Sequence, residues 1–252
     1  MRRYIYNYET AVTFSEPVIN HSLLLRCQPV QGSYMTIDEE HFIIPHEYNV
    51  RRGVDHFGNR IIYGGLRDPH TSLAYISTGI VTMAPYAIKN GTEPPQFWLV
   101  PTRLTSLGTE NAMPLSGNTS QDAMEICRKV YGMMTYTPFA TDMETTAERV
   151  LASKQGVCQD YSHLMIGLCR ISGLPARYAC GFVEGTGETH AWVEVFDGYR
   201  WIAFDPTNDC RITYGYVKLA HGRDASDCPV SRGLYAGLAF QQTQINVTLK
   251  EI

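Results

Sequence analysis

Three side chains that together can carry out acyl transfer occur in order in the second half of the chain. Cys158, His190 and Asp205 lie 32 and then 15 residues apart. A thiol that attacks a carbonyl carbon needs a base to accept its proton and a carboxylate to orient that base. These three residue types supply those roles, so the hypothesis is a cysteine nucleophile, a histidine base and an orienting aspartate.

Cys158 is predicted to lie in the first turn of an amphipathic helix. Gly156 ends the preceding segment, and apolar residues then recur at helical spacing until Gly173 and Pro175 stop the pattern. In a first turn, the unpaired backbone N–H groups and the positive end of the helix dipole favour a thiolate over a thiol. The same N–H groups are able to stabilise an oxyanion that forms at the attacked carbonyl.

His190 and Asp205 are predicted to face each other across a β-hairpin. The segments on either side of Asp197-Gly198 alternate in side-chain type, and this dipeptide is preferred in two-residue type I′ turns. Such a loop pairs Phe196 with Tyr199 and places His190 opposite Asp205. Directly opposed Cβ atoms lie about 4.5–5.5 Å apart, within reach of an imidazole–carboxylate hydrogen bond. A four-residue loop would shift the pairing by two.

The composition narrows the class of protein. The chain has 252 residues, 44% of them apolar and 18% charged, which is typical of a folded globular protein. A net charge of −4 argues against a nucleic-acid partner. No apolar stretch approaches the roughly 20 residues of a membrane span, and the N-terminus does not read as a signal peptide. The expected location is the cytoplasm, and the composition favours no particular oligomeric state.

Cysteine spacing predicts neither a metal site nor a cofactor. No C-x-x-C pair occurs among the seven cysteines, so no zinc site is expected. Without an export signal all seven are expected to be reduced. Cys127, Cys169 and Cys180 read as small apolar core residues.

Patterning divides the chain into a β-rich part and an α+β part. Residues 1–90 predict an antiparallel β-sandwich, with strands at 4–14 and 22–27 separated by a turn at Glu16-Pro17. Residues 91–118 are predicted to be a linker segment; the best linker candidate runs from Lys89 to Gln96, since it contains Gly91, Pro94 and Pro95.

The catalytic core is predicted to span residues 119–252. Thr119 and Thr145 are expected to start two helices, each with an acidic residue three positions later. The helix of Cys158 follows, and then three strands. Helices followed by an antiparallel sheet indicate an α+β core.

Several short segments resemble the bacterial transglutaminase-like cysteine proteases. They are Gly156-Val157-Cys158-Gln159-Asp160, His163-Leu164-Met165, Pro175-Ala176-Arg177-Tyr178, His190-Ala191-Trp192-Val193-Glu194 and Asp205-Pro206-Thr207-Asn208. Residues 1–90 and 221–233 are similar to the β-rich N-terminal region and the C-terminal segment of the same group. The resemblance covers nearly the whole chain.

The resemblance implies a papain-like core with Cys158 as nucleophile, His190 as general base and then acid, and Asp205 as the residue that orients His190. Gln159 stands where eukaryotic transglutaminases have tryptophan, and no acidic loop suggests a calcium site. Hydrolysis of an amide or peptide bond is therefore favoured over protein crosslinking. Tyr136 and the Gln159 side chain are the candidates for a second oxyanion donor.

Other prominent residues have structural interpretations. His163 lies five residues after Cys158, about 140° around the helix, so it is expected to be structural. Trp192 and Trp201 fit packing across the hairpin.

Three functions fit the sequence. The first is a thiol hydrolase of a peptide or amide substrate, and the second is an acyltransferase that passes the same thioester to an amine. The third is a catalytically silent binding module, which the intact set of three residues disfavours.

Overall fold

The structure, a computed structural model, describes residues 1–89 and 94–252. Strands β1 to β6 are Arg2–Leu25, Met35–Ile43, Asn49–Val54, Arg60–Leu66, His70–Met83 and Ile88–Lys89. The α-helices are α1 (Thr119–Met133), α2 (Ala147–Ser153) and α3 (Cys158–Ile171). Strands β7 to β16 are Thr135–Tyr136, Gln155–Gly156, Ala176–Val183, Gly185–Gly187, His190–Phe196, Arg200–Asp205, Cys210–Arg211, Tyr216–Gly222, Ser231–Ala236 and Gln241–Glu251. Short 3₁₀ helices cover Pro95–Leu99, Thr109–Asn111 and Ala225–Asp227.

Strand β1 runs through 24 residues, where the sequence predicted two strands and a turn at Glu16-Pro17. Its first half pairs with β5 and β16, and its second half pairs with β4 and β15. The register with β5 shifts between Thr13 and Val18, so Pro17 lies where the ladder is interrupted and no N–H donor is needed. The predicted turn was wrong because an irregular bend accommodates the proline without reversing the chain.

The N-terminal sheet has eight strands, and some of them come from the end of the chain. Strand β16 lies beside β1 from the pair Tyr4–Glu251 to the pair Phe14–Gln241, and β10 pairs with β16. Strands of the predicted segment 119–252 thus complete the sheet of residues 1–90. The boundaries at 90 and 118 stay predictions, and residues 90–93 of the predicted linker lie outside the described residues.

The second sheet has six strands in the order β13-β12-β11-β9-β14, with β6 beside β12. Alternation in β11 divides its side chains: Val193 and Val195 pack in the cluster under α3, whereas Trp192 packs toward the N-terminal sheet. On that second face the rings of Tyr6 and Phe182 stack 5.6 Å apart. The six-stranded sheet therefore lies between the helices and the N-terminal sheet, and the predicted fold class is confirmed.

The N-caps of helices α1 and α2 each lie one residue from the predicted helix start. Asn118 caps α1 and Thr146 caps α2, and in each case the side-chain oxygen accepts the N–H three residues later. The sequence placed the starts at Thr119 and Thr145. The error arises because neighbouring residues at both helix starts are capping types.

Candidate active site

The first residue of helix α3 is Cys158, as predicted. Asp160 fixes this helix start, because its Oδ2 accepts the N–H of Val157 at 2.8 Å and the hydroxyl of Thr141 at 2.6 Å. A Cβ at position 156 would come within 2.5 Å of the Asp160 side chain, so Gly156 leaves room for this cap. The half-buried thiol of Cys158 thus lies beside the unpaired N–H groups of a firmly capped first turn.

The predicted hairpin register was wrong by two residues. Phe196 pairs with Trp201 rather than Tyr199, so four residues lie between the paired positions. The side chain of Asp197 stabilises this longer loop, since its Oδ1 accepts the backbone N–H groups of Tyr199 and Arg200 at 3.0 and 2.9 Å. A shift of two keeps each side chain on its original face of the sheet.

His190 and Asp205 therefore approach each other diagonally rather than directly. The distance from His190 Nε2 to Asp205 Oδ2 is 2.7 Å, because a diagonal pair on one face stays within reach of an imidazole ring. The contact occupies Nε2 and leaves Nδ1 as the ring nitrogen that can serve Cys158. The structure thus brings together all three residues of the sequence hypothesis, and their catalytic roles stay predictions.

Asp205 is fully buried, and both oxygens of its carboxylate accept hydrogen bonds. Besides His190, its Oδ2 accepts the hydroxyl of Tyr216 at 2.7 Å and the amide of Asn208 at 2.6 Å, while Oδ1 accepts the N–H of Thr207 at 2.8 Å. Burial alone would raise the pKa of Asp205, but the hydrogen bond and charge of His190 and the bonds from Tyr216 and Asn208 lower it. Asp205 is therefore held as a carboxylate that faces the imidazole.

His190 is held in its charged form. Burial lowers its pKa, but hydrogen bonds to Asp205 and Cys158, together with the charges of those two groups, raise it to about 10. The side chain is only 17% exposed, so water screens these interactions weakly. The arrangement favours an imidazolium ring at neutral pH.

Replacing Cys158 with alanine is expected to lower the pKa of His190, because one hydrogen bond and one negative charge are removed while burial and Asp205 remain. NMR titration of the imidazole signals in the two proteins measures the shift. The buried His163, whose own pKa burial lowers to about 4, serves as an internal reference that should not move. An unchanged midpoint for His190 would mean that the thiol and the imidazole do not interact.

Two cavities border both Cys158 and His190. One, of about 570 Å³, is lined by Tyr136, Pro138, Phe139, Thr141, Val157, Glu188 and Thr189. The other, of about 340 Å³, has mainly apolar walls; they include Gln159, Tyr178, Cys180, Ala225, Cys228, Val230 and Ile245. A substrate that crosses the reactive pair would therefore place one group in each cavity.

The two predicted oxyanion donors line different cavities beside Cys158. Tyr136 lines the larger cavity and Gln159 the smaller one. Burial, and then the charges of Cys158 and Glu188, raise the pKa of Tyr136, so its hydroxyl lies near both groups. Neither role is tested by the geometry, and both stay predictions.

Sequence reasoning missed Tyr216 and gave Asn208 and Asp160 no role. Asn208 and Asp160 lie within the short segments that carry the family resemblance, so their proximity in sequence to Asp205 and Cys158 could have indicated a role in the site. No sequence signal pointed to Tyr216, because its strand β14 is separated from β12 by β11 and β9. Its contact with Asp205 depends on the order of strands in the sheet.

The residues with predicted structural roles are buried. His163 accepts the N–H of Ala225 at 3.1 Å, and Trp192 and Trp201 are fully enclosed. All seven cysteines are free thiols, and Cys180 also lines the smaller cavity.

Residues 1–89 and 94–252 contain neither a metal-binding cluster nor a helix able to span a membrane. No group of three or more His, Cys, Asp or Glu side chains there is arranged to hold a metal ion. None of the helices in these ranges has the length and apolar character needed to cross a membrane.

The chain is similar in sequence to known protein families and to several bacterial proteins. Residues 109–206 match the transglutaminase-like superfamily, and residues 4–82 match the bacterial transglutaminase-like N-terminal region. An uncharacterized protein of Mycobacterium leprae is 26% identical over 230 residues, with 80% of this chain and 81% of the relative covered. One of Mycobacterium bovis is 29% identical over 220 residues, with 71% and 70% covered.

The fold also has a solved counterpart. The crystal structure of a proposed cysteine protease from Cytophaga hutchinsonii superimposes with a TM-score of 0.82 at 20% identity, covering 100% of this chain and 91% of that one. At this identity the likeness shows the fold alone. With both sequence matches, the chain is a transglutaminase-like superfamily protein that carries the N-terminal region of the bacterial members.

Proposed function

We propose that the protein is a thiol-dependent hydrolase of peptide or amide bonds that acts through Cys158, His190 and Asp205. The observation that carries this proposal is the 2.7 Å contact between His190 Nε2 and Asp205 Oδ2. This contact fixes the imidazole so that Nδ1 is available to the thiol. The two cavities that border the reactive pair provide room for the acyl group and the leaving group.

The proposed reaction has two steps. The Cys158 thiolate attacks the carbonyl carbon, and the His190 imidazolium then donates its proton to the departing amine, which leaves a thioester on Cys158. In the second step, His190 accepts a proton from water as the water oxygen attacks the thioester carbon. The thioester C–S bond breaks, the carboxylic acid leaves, and the thiolate and imidazolium are restored.

The oxyanion of each step needs hydrogen-bond donors that are already in place. The unpaired N–H groups at the start of α3 supply the first donor, next to the attacked carbonyl. The proposed second donor is the hydroxyl of Tyr136 or the side-chain amide of Gln159. Since these residues line different cavities, the choice also sets which cavity receives the carbonyl oxygen.

An acyltransferase is the second candidate, because the thioester can be resolved by an amine as well as by water. Glu188 on the wall of the larger cavity favours this alternative, since a carboxylate attracts an ammonium group. Efficient transfer requires that water be kept from the thioester, and the exposed mouth of this cavity, where Phe139 is fully solvated, favours hydrolysis.

The reaction type is tested by measuring whether the thioester is resolved by water or by an amine. A panel of peptides and amides is first screened for acylation of Cys158 by mass spectrometry, with Cys158→Ala as the matched control. A substrate that turns over is then incubated with excess primary amine in oxygen-18 water. We expect an acid product with one solvent oxygen. A product that carries the amine instead, with little solvent oxygen, would replace the hydrolase with the acyltransferase.

A further inference from the structure

The turn from Thr137 to Ala140 holds an aromatic side chain at the mouth of the larger cavity in an unusual backbone conformation. Phe139 has a φ of 64°, in the left-handed region that bulky residues seldom adopt. Pro138 precedes it and the Ala140 N–H donates to the Thr137 carbonyl, as in a type II turn, where glycine or asparagine is favoured at this position. The Phe139 ring is nevertheless fully exposed, so packing does not explain why phenylalanine is present.

The segment that carries this turn is fixed to the start of helix α3. The N–H of Thr137 donates to the carbonyl of Gly156 at 2.9 Å, and Thr141 donates to Asp160 at 2.6 Å. Strand β7 pairs in parallel with β8, which places Tyr136 beside Gly156. The two aromatic residues of this segment, Tyr136 and Phe139, are therefore held at a set position relative to Cys158.

A single acidic side chain completes the wall of this cavity. Glu188, two residues before His190, lines the same cavity as Tyr136 and Phe139, and its charge contributes to the raised pKa of Tyr136. The described lining contains no lysine or arginine, and its cationic group, His190, is already paired with Asp205. A carboxylate beside aromatic ring faces attracts positively charged nitrogen groups, by charge and by cation–π interaction.

We propose that Tyr136, Phe139 and Glu188 form a subsite for a cationic nitrogen group of the substrate, next to Cys158. The inference rests on the proposed function, because it assigns a substrate class to the same cleft. The cation is either a basic side chain of the hydrolysed chain or the free amine that resolves the thioester. The smaller cavity has no charged lining residue among those described apart from His190, so the group it takes is apolar.

Charged thiol reagents test the subsite without any need for turnover. Trimethylammonioethyl and sulfonatoethyl methanethiosulfonate are similar in length and opposite in charge, and both form a mixed disulfide on Cys158 with release of methanesulfinate. Rates are read from the peptide that contains Cys158. We expect Glu188→Gln to reduce the ratio of cationic to anionic rates about tenfold, from Coulomb's law across a partly solvated cleft.

The matched control is Glu184→Gln. Glu184 is an exposed acid on the same loop that does not line the cavity, so its removal should change the ratio less than twofold. Phe139→Gly should lower the rate of the quaternary ammonium reagent about threefold relative to the sulfonate reagent, without a fall in Tm, because glycine suits a positive φ. A purely structural Phe139 would leave that ratio unchanged.

Two results would overturn the subsite: a ratio in Glu188→Gln within twofold of the wild type, or an equal fall in Glu184→Gln. Failure of the hydrolase proposal looks different, since the charge selectivity of Cys158 labelling persists while no substrate is turned over. For an active substrate, matched lysine and norleucine peptides and matched charged and uncharged amines identify the source of the cation. If neither pair shows a preference that Glu188→Gln removes, the subsite has no role in substrate selection.

Discussion

Cys158→Ala is expected to abolish product formation, and His190→Ala is expected to lower the rate about 10⁴-fold or more, as for other nucleophile–base pairs that act as a unit. Without the thiol no thioester forms, and without the imidazole neither the leaving amine nor the attacking water has a proton-transfer partner. Single-turnover release of the amine product measures both effects. Cys27→Ala serves as a control, because this thiol is buried in the N-terminal core and lines neither cavity.

Asp205→Asn is expected to reduce the rate about 10²–10⁴-fold while the fold persists. Asp205 Oδ2 accepts the proton on His190 Nε2, and so Nδ1 is the ring nitrogen that serves Cys158. An asparagine amide can turn its NH₂ group toward the ring and select the opposite tautomer. The other donors to Asp205, Tyr216 and Asn208, would meet that amide too.

Tyr216→Phe tests the orientation of the Asp205 carboxylate separately from its charge. The variant removes one hydrogen bond to Asp205 and keeps the carboxylate. Its rate should fall about 3- to 30-fold, much less than in Asp205→Asn, in proportion to one lost charge-assisted hydrogen bond. A catalytic set is contradicted if Cys158→Ala or His190→Ala keeps wild-type turnover. The silent binding module would be the better description if the wild type itself turned over none of the substrates.

The sequence was sufficient to predict the candidate site because the pattern of a strand has a period of two. The hairpin loop is longer than predicted by two residues, yet His190 and Asp205 still share one face and touch. A register error of one residue would have placed them on opposite faces of the sheet. The face of each side chain was therefore predictable from alternation alone, whereas the exact partner across the strands depended on loop geometry.

The features that could not be predicted depend on contacts between distant parts of the chain. Strand β16 lies beside β1, with Glu251 opposite Tyr4, and no local pattern in either segment selects the other. Tyr216 reaches Asp205 only because β9 and β11 bring β14 close to β12. The same non-local pairing explains why β1 continues through Pro17, since separate partners take up its two halves.

The largest expected effect on stability comes from Glu194, which lies four residues after His190 on strand β11. Glu194 is fully buried and binds two cations, with Arg177 Nε at 2.6 Å from one carboxylate oxygen and Lys218 Nζ at 2.8 Å from both. Tyr86 also donates its hydroxyl to Glu194. Burial raises the pKa of Glu194, but the charges of Arg177 and Lys218 overcome this and lower it to about 2.

Glu194→Gln is expected to lower the free energy of unfolding by about 3–5 kcal/mol, because it removes the counter-ion of two buried basic groups. In the wild type this carboxylate stabilises the fold at pH values above about 4.5, the ordinary pKa, and the contribution is lost as pH falls toward 2. Urea unfolding at pH 7 measures the deficit, with the exposed Glu184→Gln as a control that should stay within about 0.5 kcal/mol of wild type.

The pH dependence of the stability of the Glu194→Gln variant provides a second, independent test of this buried charge cluster. Burial already lowers the pKa of Lys218 to about 8, and loss of the carboxylate should lower it further, so that Lys218 is neutral in the folded variant near pH 7. The unfolded chain then binds one more proton, and stability should rise with pH until the unfolded lysine also loses its proton near its ordinary pKa of about 10.4. The deficit relative to wild type should therefore shrink between pH 7 and pH 9.

A loss below about 1 kcal/mol at pH 7, or a deficit that grows with pH, would show that the cluster is hydrated and contributes no more than a surface ion pair.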